Sequence, residues 1–437
     1  MTDSFTTEKI DTDLPAKGVL YLVYFGHSMR SHHKQSFPLS SHRFDIRHLG
    51  AFSALASHRV IGHAATAIIG MFFPIFLYEF VGMNLQMYFL WFAIGVGMRI
   101  PLFPIGAKIF SKTGLNISLV VGTLMWAMYY GAAYVLEVAP GFYPSLVLFA
   151  SFLALAICHA FYWSPYHIDF AKFSKKGKRG HQLGLLYATQ RFISVIGPIA
   201  GGLIIAKYSY SAAFIVGIAI VLLSMIPFLY FPRTNVQYEF GFVETFQKVF
   251  AKKYRYLSLS MFAVGIETIV GYAIWPIFLF MIFNGDYLDV GIFSSVIVLV
   301  GMLLQVFMGN LTDKKRPKKL LAFGVDLYSM GWIVKAFVQS VGGVFAASTF
   351  HMFGSIMMRT PLDTMMYEKA ADSGHYIDEF TTIREVSLTF GRVALLVAMF
   401  FLSQHFSLSV AFIIAGLSSL VITVFARVKV GEDFAKL

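Results

Sequence analysis

Cysteine is almost missing from this sequence. Its one copy in 437 residues, Cys158, sits inside an apolar stretch. A lone thiol excludes an internal disulfide, a thiolate metal cluster and a redox pair. Charge is scarce as well: Asp, Glu, Lys and Arg make up 13% of the chain, against roughly 25% in soluble domains. His-Glu-x-x-His, Gly-x-Ser-x-Gly and the phosphate-cradling P-loop are all absent, which removes the residues for zinc hydrolysis, an acyl-enzyme and ATP hydrolysis. No cofactor or metal is implied, and without a P-loop any energy must come from a gradient or a partner. Acids are outnumbered by bases, 23 to 35. The bases fall in short clusters between apolar runs, not in an aromatic-interleaved stripe, so nucleic acid is not an expected partner. The apolar stretch Gly18–Gly26 is short, follows acids and lacks a small-residue cleavage site, unlike a secretory signal.

What fills the chain instead is apolar and aromatic: 57% hydrophobic residues, with 46 Phe. A spanning helix needs about 20 mostly apolar residues. Such runs occur at 60–81, 84–107, 116–137, 144–166, 184–206, 211–231, 257–283, 288–309, 319–339, 343–366, 381–403 and 407–427. They are too long for barrel strands and do not alternate, so helices are expected. The loops set the sidedness. Lys172, Lys175, Lys176, Lys178 and Arg179 follow the fourth run. Arg233, Lys248, Lys252, Lys253 and Arg255 follow the sixth, and Lys314, Lys315, Arg316, Lys318 and Lys319 the eighth. The alternate loops hold one cation, Lys207, and several acids. The positive-inside rule therefore places the basic loops and both termini in the cytoplasm, in a cell (inner) membrane. The sequons at Asn116 and Asn310 then face the cytoplasm and should stay unglycosylated.

Three matches recur at a nearly constant offset. Pro74-Ile-Phe-Leu77 returns as Pro276-Ile-Phe-Leu279, 202 positions later; Pro165 pairs with Pro361; and Gln190-Arg191 before Gly197 pairs with Arg384-Glu385 before Gly391. Two six-helix bundles in parallel repeat are expected, related by a pseudo-twofold axis along the membrane normal. The organisation read from the sequence is an N-terminal tail at 1–48, one bundle at 49–231, a linker at 232–256, a second bundle at 257–427 and a C-terminal tail at 428–437. Within the linker, Phe242, Phe246, Val249 and Phe250 share a helical face beside lysines, the pattern of an interfacial helix. The assembly is read as a monomer in the lipid bilayer.

Between the eighth and ninth runs stands Gly309-Asn-Leu-Thr-Asp313-Lys314-Lys-Arg316. It is similar to the loop motif of the major facilitator superfamily, and the resemblance covers about 50–430. That resemblance implies twelve transmembrane helices, a small-molecule substrate moved by alternating access, and Asp313 as part of an inner latch. The equivalent loop after the second run has Phe110 where the acid would stand. Gly184, then Gly197-Pro198-Ile-Ala-Gly201-Gly202, looks like the family's antiporter motif, with Ile193 in place of a further glycine. It implies export in exchange for protons, or tight packing of a bent helix. The embedded Arg usual in the fourth helix of proton-driven exporters is absent; His159 is the ionisable residue there.

An ionisable residue at mid-membrane costs roughly 2.5–3.5 kcal/mol on insertion scales, and so marks a functional candidate. Glu267 and Arg392 lie nearest mid-depth, with His159 and His351 at similar depth. Glu267 is the candidate coupling carboxylate for a proton or cation. Arg392 is either an anchor for an anionic substrate group or Glu267's ion-pair partner, and a purely structural Glu–Arg pair fits equally. The two histidines belong to the same candidate substrate and coupling set, and are read as packed and neutral in preference to proton carriers. A second set lies towards the cytoplasmic ends: Arg99, Arg191, Arg359, Asp363, Arg384 and Glu385, with Gly309, Asp313 and Lys314 in the loop. These suit an inner gate, with Asp313–Arg359 as the expected pair. The leading function is a proton-linked exporter of amphipathic molecules. The alternatives are uptake of a polar or anionic solute anchored by Arg392 and Arg99, and, in a different class, a lipid scramblase or membrane-embedded enzyme.

Overall fold

A computed structural model describes residues 46–174, 178–312 and 317–428. Among them every regular element is helical. In chain order these are α1, a broken rod of Ile46–Ile69 and Phe72–Phe80 bent by 43°; α2 (Leu85–Thr113); α3 (Leu115–Val138); α4 (Pro144–Phe173); α5 (Arg179–Lys207); and α6 (Tyr210–Tyr230). A short α7 (Phe242–Phe250) precedes α8 (Arg255–Ile282), α9 (Tyr287–Thr312), α10 (Pro317–Lys335), α11 (Val341–Asp372), α12 (Ile377–Leu402) and α13 (Ser409–Arg427).

Each expected apolar run carries a helix, yet ten of these helices are long and apolar enough to cross a membrane, or eleven if bent α1 counts as one span. The helix that falls short is α10, where Lys318, Lys319, Asp326 and Lys335 sit within nineteen residues. Several rods outrun their apolar runs. The 30 residues of α4 rise about 45 Å at 1.5 Å per residue, longer than a hydrocarbon core of about 30 Å, and its last turn carries Lys172. The first helix begins fourteen residues before the run expected at 60, because tertiary contacts carry its polar groups. His58 is buried, its Nδ1 2.6 Å from the Ser224 carbonyl and its ring stacked 4.1 Å from Phe228. Arg59 lies 4.6 Å over Trp163. The N-terminal tail through residue 45, and Lys314 and Asp313 of the loop motif, lie outside the described residues. So do 429–437. Gly309 lies near the end of α9.

Helix contacts recur in register. The pairs α1–α5, α1–α6, α3–α4 and α3–α6 are matched by α8–α12, α8–α13, α10–α11 and α10–α13, while α5–α9 and α2–α12 join the first six helices to the last six. Small residues make these approaches possible. A Cβ on Gly265 would lie 2.0 Å from the Leu388 carbonyl oxygen, and one on Gly391 2.0 Å from that of Phe262, so α8 and α12 cross backbone to backbone.

The linker is pinned at both sides. The Thr234 carbonyl accepts from the Leu115 backbone N–H (2.9 Å), that of Asn235 accepts from Lys172 Nζ (3.0 Å), and Glu379 Oε1 accepts from the Glu239 backbone N–H (2.8 Å). In α7 the aromatic face divides. Val249 is buried and Phe246 half-buried, whereas Phe242 and Phe250 are exposed.

Candidate functional site

Two helices widen at the centre of the molecule. In α4 the residues His159–Trp163 form a π-turn just before Pro165, and in α8 Val270–Ile274 form another just before Pro276. A proline lacks the N–H that would continue the ladder, so carbonyls one turn earlier need other donors. Ser118 Oγ donates to the Phe161 carbonyl (2.8 Å), and Tyr88 Oη, from α2, donates to the Ala273 carbonyl (2.6 Å). Such turns swing side chains off the regular helical stripe and recur at functional sites. Here they aim His159, Trp163 and Tyr272 into a cavity.

That cavity, about 270 Å³, is walled by Tyr129, Tyr162, Trp163 and Tyr272 and holds Arg59, Arg99 and Arg392. No carboxylate among the described residues lines it. Arg99 is 4% exposed, and its Nε has no hydrogen-bond partner among the described residues. Arg392 Nε points to Thr268 Oγ1 at 3.4 Å. His159 Nδ1 turns away to the Leu155 carbonyl at 2.9 Å, and Cys158 is on the same wall.

A second cavity, about 440 Å³, adjoins the first; Thr66 and Thr268, 202 positions apart, line both. It contains Glu267, Arg359, Tyr328, Lys335 and His351. Glu267, 1% exposed, is ion-paired with Arg359 Nη2 through one oxygen and accepts from Tyr328 Oη (2.6 Å) through the other. Charge-assisted donors on both oxygens make this a fully satisfied buried carboxylate. His351 lies 4.4 Å from the ring centres of both Tyr328 and Trp332.

The structure redistributes the expected network. Glu267 is paired with Arg359, not Arg392, and Arg359 lines this chamber; Asp313, its expected latch partner, lies outside the described residues. Arg99, also expected at the gate, stands with Arg392 in the first cavity. The reason is helix rotation: both arginines lie on faces turned to the centre, which position along an apolar run does not reveal. Arg191, Asp363, Arg384 and Glu385, expected at the gate, make contacts of their own. Tyr187 Oη donates to Asp363 Oδ2 (3.0 Å), joining α5 to α11, and Arg191 Nη1 reaches the Gly301 carbonyl at 3.4 Å. Arg384 is ion-paired with its neighbour Glu385, which also lies 3.8 Å from His167 Nε2. His167 Nδ1 is 2.7 Å from Tyr367 Oη, a contact from α4 to α11 that sequence reasoning missed.

The opposite end closes on Glu79, at the tip of α1. Tyr210 (α6) and Tyr287 (α9) each donate to one of its oxygens at 2.6 Å. Replacing Glu79 by alanine removes two charge-assisted hydrogen bonds, one of them between the first six helices and the last six. Alkylation of Cys158 by a bulky maleimide, applied from the face bearing the 81–84 turn, should then speed up roughly tenfold. An unchanged rate would mean that these contacts do not hold that end shut.

Of the α5 glycines, a Cβ on Gly197 would lie 2.4 Å from that of Ala67, one on Gly201 2.1 Å from the Ile68 carbonyl oxygen, and one on Gly202 2.4 Å from that of Tyr287. A Cβ on Gly291 would lie 2.4 Å from the Pro198 carbonyl oxygen, whereas one on Gly184 would meet nothing within 4 Å. The segment Gly197–Gly202 thus joins α5 to α1 and α9. Among the described residues no cluster of three or more His, Cys, Asp or Glu could hold a metal ion.

Helices long and apolar enough to cross a membrane, two of them broken around a charge-lined centre, are the architecture of a multi-pass membrane protein. The chain belongs to the major facilitator superfamily, whose sequence model matches residues 55–391. No curated protein matches the sequence. Among solved structures it is similar to a variant of the E. coli fucose:proton symporter FucP: 14% identity, TM-score 0.63, over 87% of this chain and 98% of that one. It is also similar to the human organic anion transporter MFSD10 (TETRAN): 12% identity, TM-score 0.63, over 87% and 99%. At these identities the likeness is one of fold.

Proposed function

We propose that this protein is a secondary transporter that moves small organic anions with protons by alternating access. The observation that carries this reading is the first cavity: three arginines, Arg99 buried and Arg59 and Arg392 half-buried, with aromatic walls and no carboxylate among its described lining residues. Buried charges without counter-ions are costly, and an anionic ligand is the natural compensation, held by guanidinium forks and covered by aromatic faces. The similarity to a structure described as an organic anion transporter accords with this.

Glu267 is the proposed proton site. Its negative charge, one chamber away, opposes an anion bound at Arg392; a proton on it removes that opposition and frees Arg359. Proton and anion therefore bind more tightly together than apart, and by linkage each favours the other. Joint binding means transport in the same direction, the mode for which the fucose:proton symporter is named. Export in exchange for protons would rest on Gly197–Gly202, and packing accounts for those glycines. The matched helix contacts support two six-helix halves, 49–231 and 257–427, with α10 as a twelfth span. The basic loops support a cytoplasmic placement of both termini.

Uptake of an aromatic monocarboxylate into proteoliposomes, with and without an acid-outside gradient, tests the proposal. Wild type should accumulate the anion only with the gradient. Glu267→Gln should keep anion exchange at zero gradient and lose accumulation, and Arg392→Gln should lose roughly tenfold or more in both. Gradient-driven accumulation by Glu267→Gln equal to wild type would remove Glu267 from the coupling. Unimpaired transport by Arg392→Gln would remove the anion site.

A further inference from the structure

The second cavity holds a cation that the coupling pair does not use. Lys335, at the end of α10, is 6% exposed. Its Nζ lies 3.8 Å from the ring centre of Trp275 and 4.8 Å from that of Trp332, and 3.4 Å from His351 Nδ1. No carboxylate among the described residues is ion-paired with it, since Glu267, the acid lining that chamber, is taken by Arg359 and Tyr328. Aromatic faces attract a desolvated ammonium, yet the gain is about 2 kcal/mol, below the several kcal/mol that burying an ion costs. An unpaired lysine near the end of an apolar helix ordinarily reaches for the interface. This one is folded inward on two indoles beside a cavity.

The two chambers share a wall at Thr66 and Thr268, and Arg392 rests against Thr268. We infer that they form one bipartite site whose ligand is an organic dianion. One acidic group is taken by Arg99 and Arg392, the other by Lys335, and an apolar spacer passes between the two threonines. The second acidic group would approach Nζ from the cavity side, opposite the indoles, so that the Trp275–Trp332 box orients the ammonium towards it. This rests on the organic-anion reading above and adds a second anchor to it.

The test compares α,ω-dicarboxylates of increasing spacer length with monocarboxylates of the same length ending in methyl, as competitors of transport in proteoliposomes holding the full chain. On the unaltered protein one spacer length should be favoured, and the diacid of that length should compete roughly tenfold or more better than its monoacid. Lys335→Gln should bring that ratio close to one, Lys335→Arg should keep most of it, and Arg392→Gln should weaken both competitors. If monoacids compete but no diacid of any length does better, the bipartite site is wrong and the organic-anion reading stands. If the diacid preference survives Lys335→Gln, Lys335 is not the second anchor and the inference fails. If neither class competes, the organic-anion reading itself falls. The length series needs no variant, so it decides the matter even should Lys335→Gln fold poorly.

Discussion

Replacing Arg359 by methionine should destabilise the protein by roughly 3–5 kcal/mol, the usual cost of stripping one partner from a buried ion pair. Glu267 is 1% exposed, and Arg359 supplies the full positive charge in contact with it. Tyr328 would remain on the other oxygen, but a neutral hydroxyl does not replace a guanidinium. Adding Glu267→Gln to the same chain removes the orphaned charge and should restore most of the loss, because the amide can still accept from Tyr328. Denaturation of the single and double variants in detergent gives the coupling energy directly. Additive effects would mean that the two side chains do not depend on each other, and the role given to Glu267 would lose its structural basis.

The second large effect is expected at Gly202. Its hydrogen faces the Tyr287 carbonyl oxygen, where a methyl would stand 2.4 Å away, and a methyl on Gly291 would stand 2.4 Å from the Pro198 carbonyl oxygen from the other side. Neither obstacle is a side chain that can rotate aside, so Gly202→Ala must part α5 from α9. Overpacking commonly costs about 1–3 kcal/mol, and rigid backbone on the far side puts this case at the upper end or above. Gly184→Ala, by contrast, meets nothing within 4 Å and should be neutral or stabilising by up to about 1 kcal/mol from helix propensity alone. Thermal midpoints of the two variants, with the monodisperse fraction of each, separate them. Equal behaviour would show that the α5–α9 contact tolerates a wider spacing than the one seen.

Much of the fold is legible in the chain. The apolar runs give the helices and their order, since backbone groups in lipid have no partner other than their own helix. The 202-residue offset that links Pro74 to Pro276 also links Thr66 to Thr268, so the repeat carries a pair of cavity residues that the motifs do not single out. Glu267 and Arg392 announce themselves as ionisable groups in apolar surroundings. Their partners do not: depth along a helix can be counted from the sequence, but rotation about its axis is set by the neighbours. That is why the sequence groups Arg359 and Arg99 with the inner-gate residues and does not show that they line the two chambers. Lys335 escapes notice for a related reason. Near the end of a run a lysine is expected to snorkel, and only the placement of Trp275 on a different helix turns it inward.

The sequence by itself determined that this is a multi-pass helical membrane protein with basic clusters in alternate loops, and that short motifs recur along it at an offset of about 200 residues. These follow from local composition read against one solvent, the bilayer, and need no knowledge of contacts. The tertiary structure alone decided which charges meet. It set Arg99 and Arg392 in a chamber whose described lining holds no acid, closed Glu267 between Arg359 and Tyr328, and gave Gly202 but not Gly184 a neighbour to touch. Each of these depends on helix rotation and on approaches of a few ångströms between segments far apart in the chain. Such distances arise from the packing of all the helices at once, and no single run of residues encodes them.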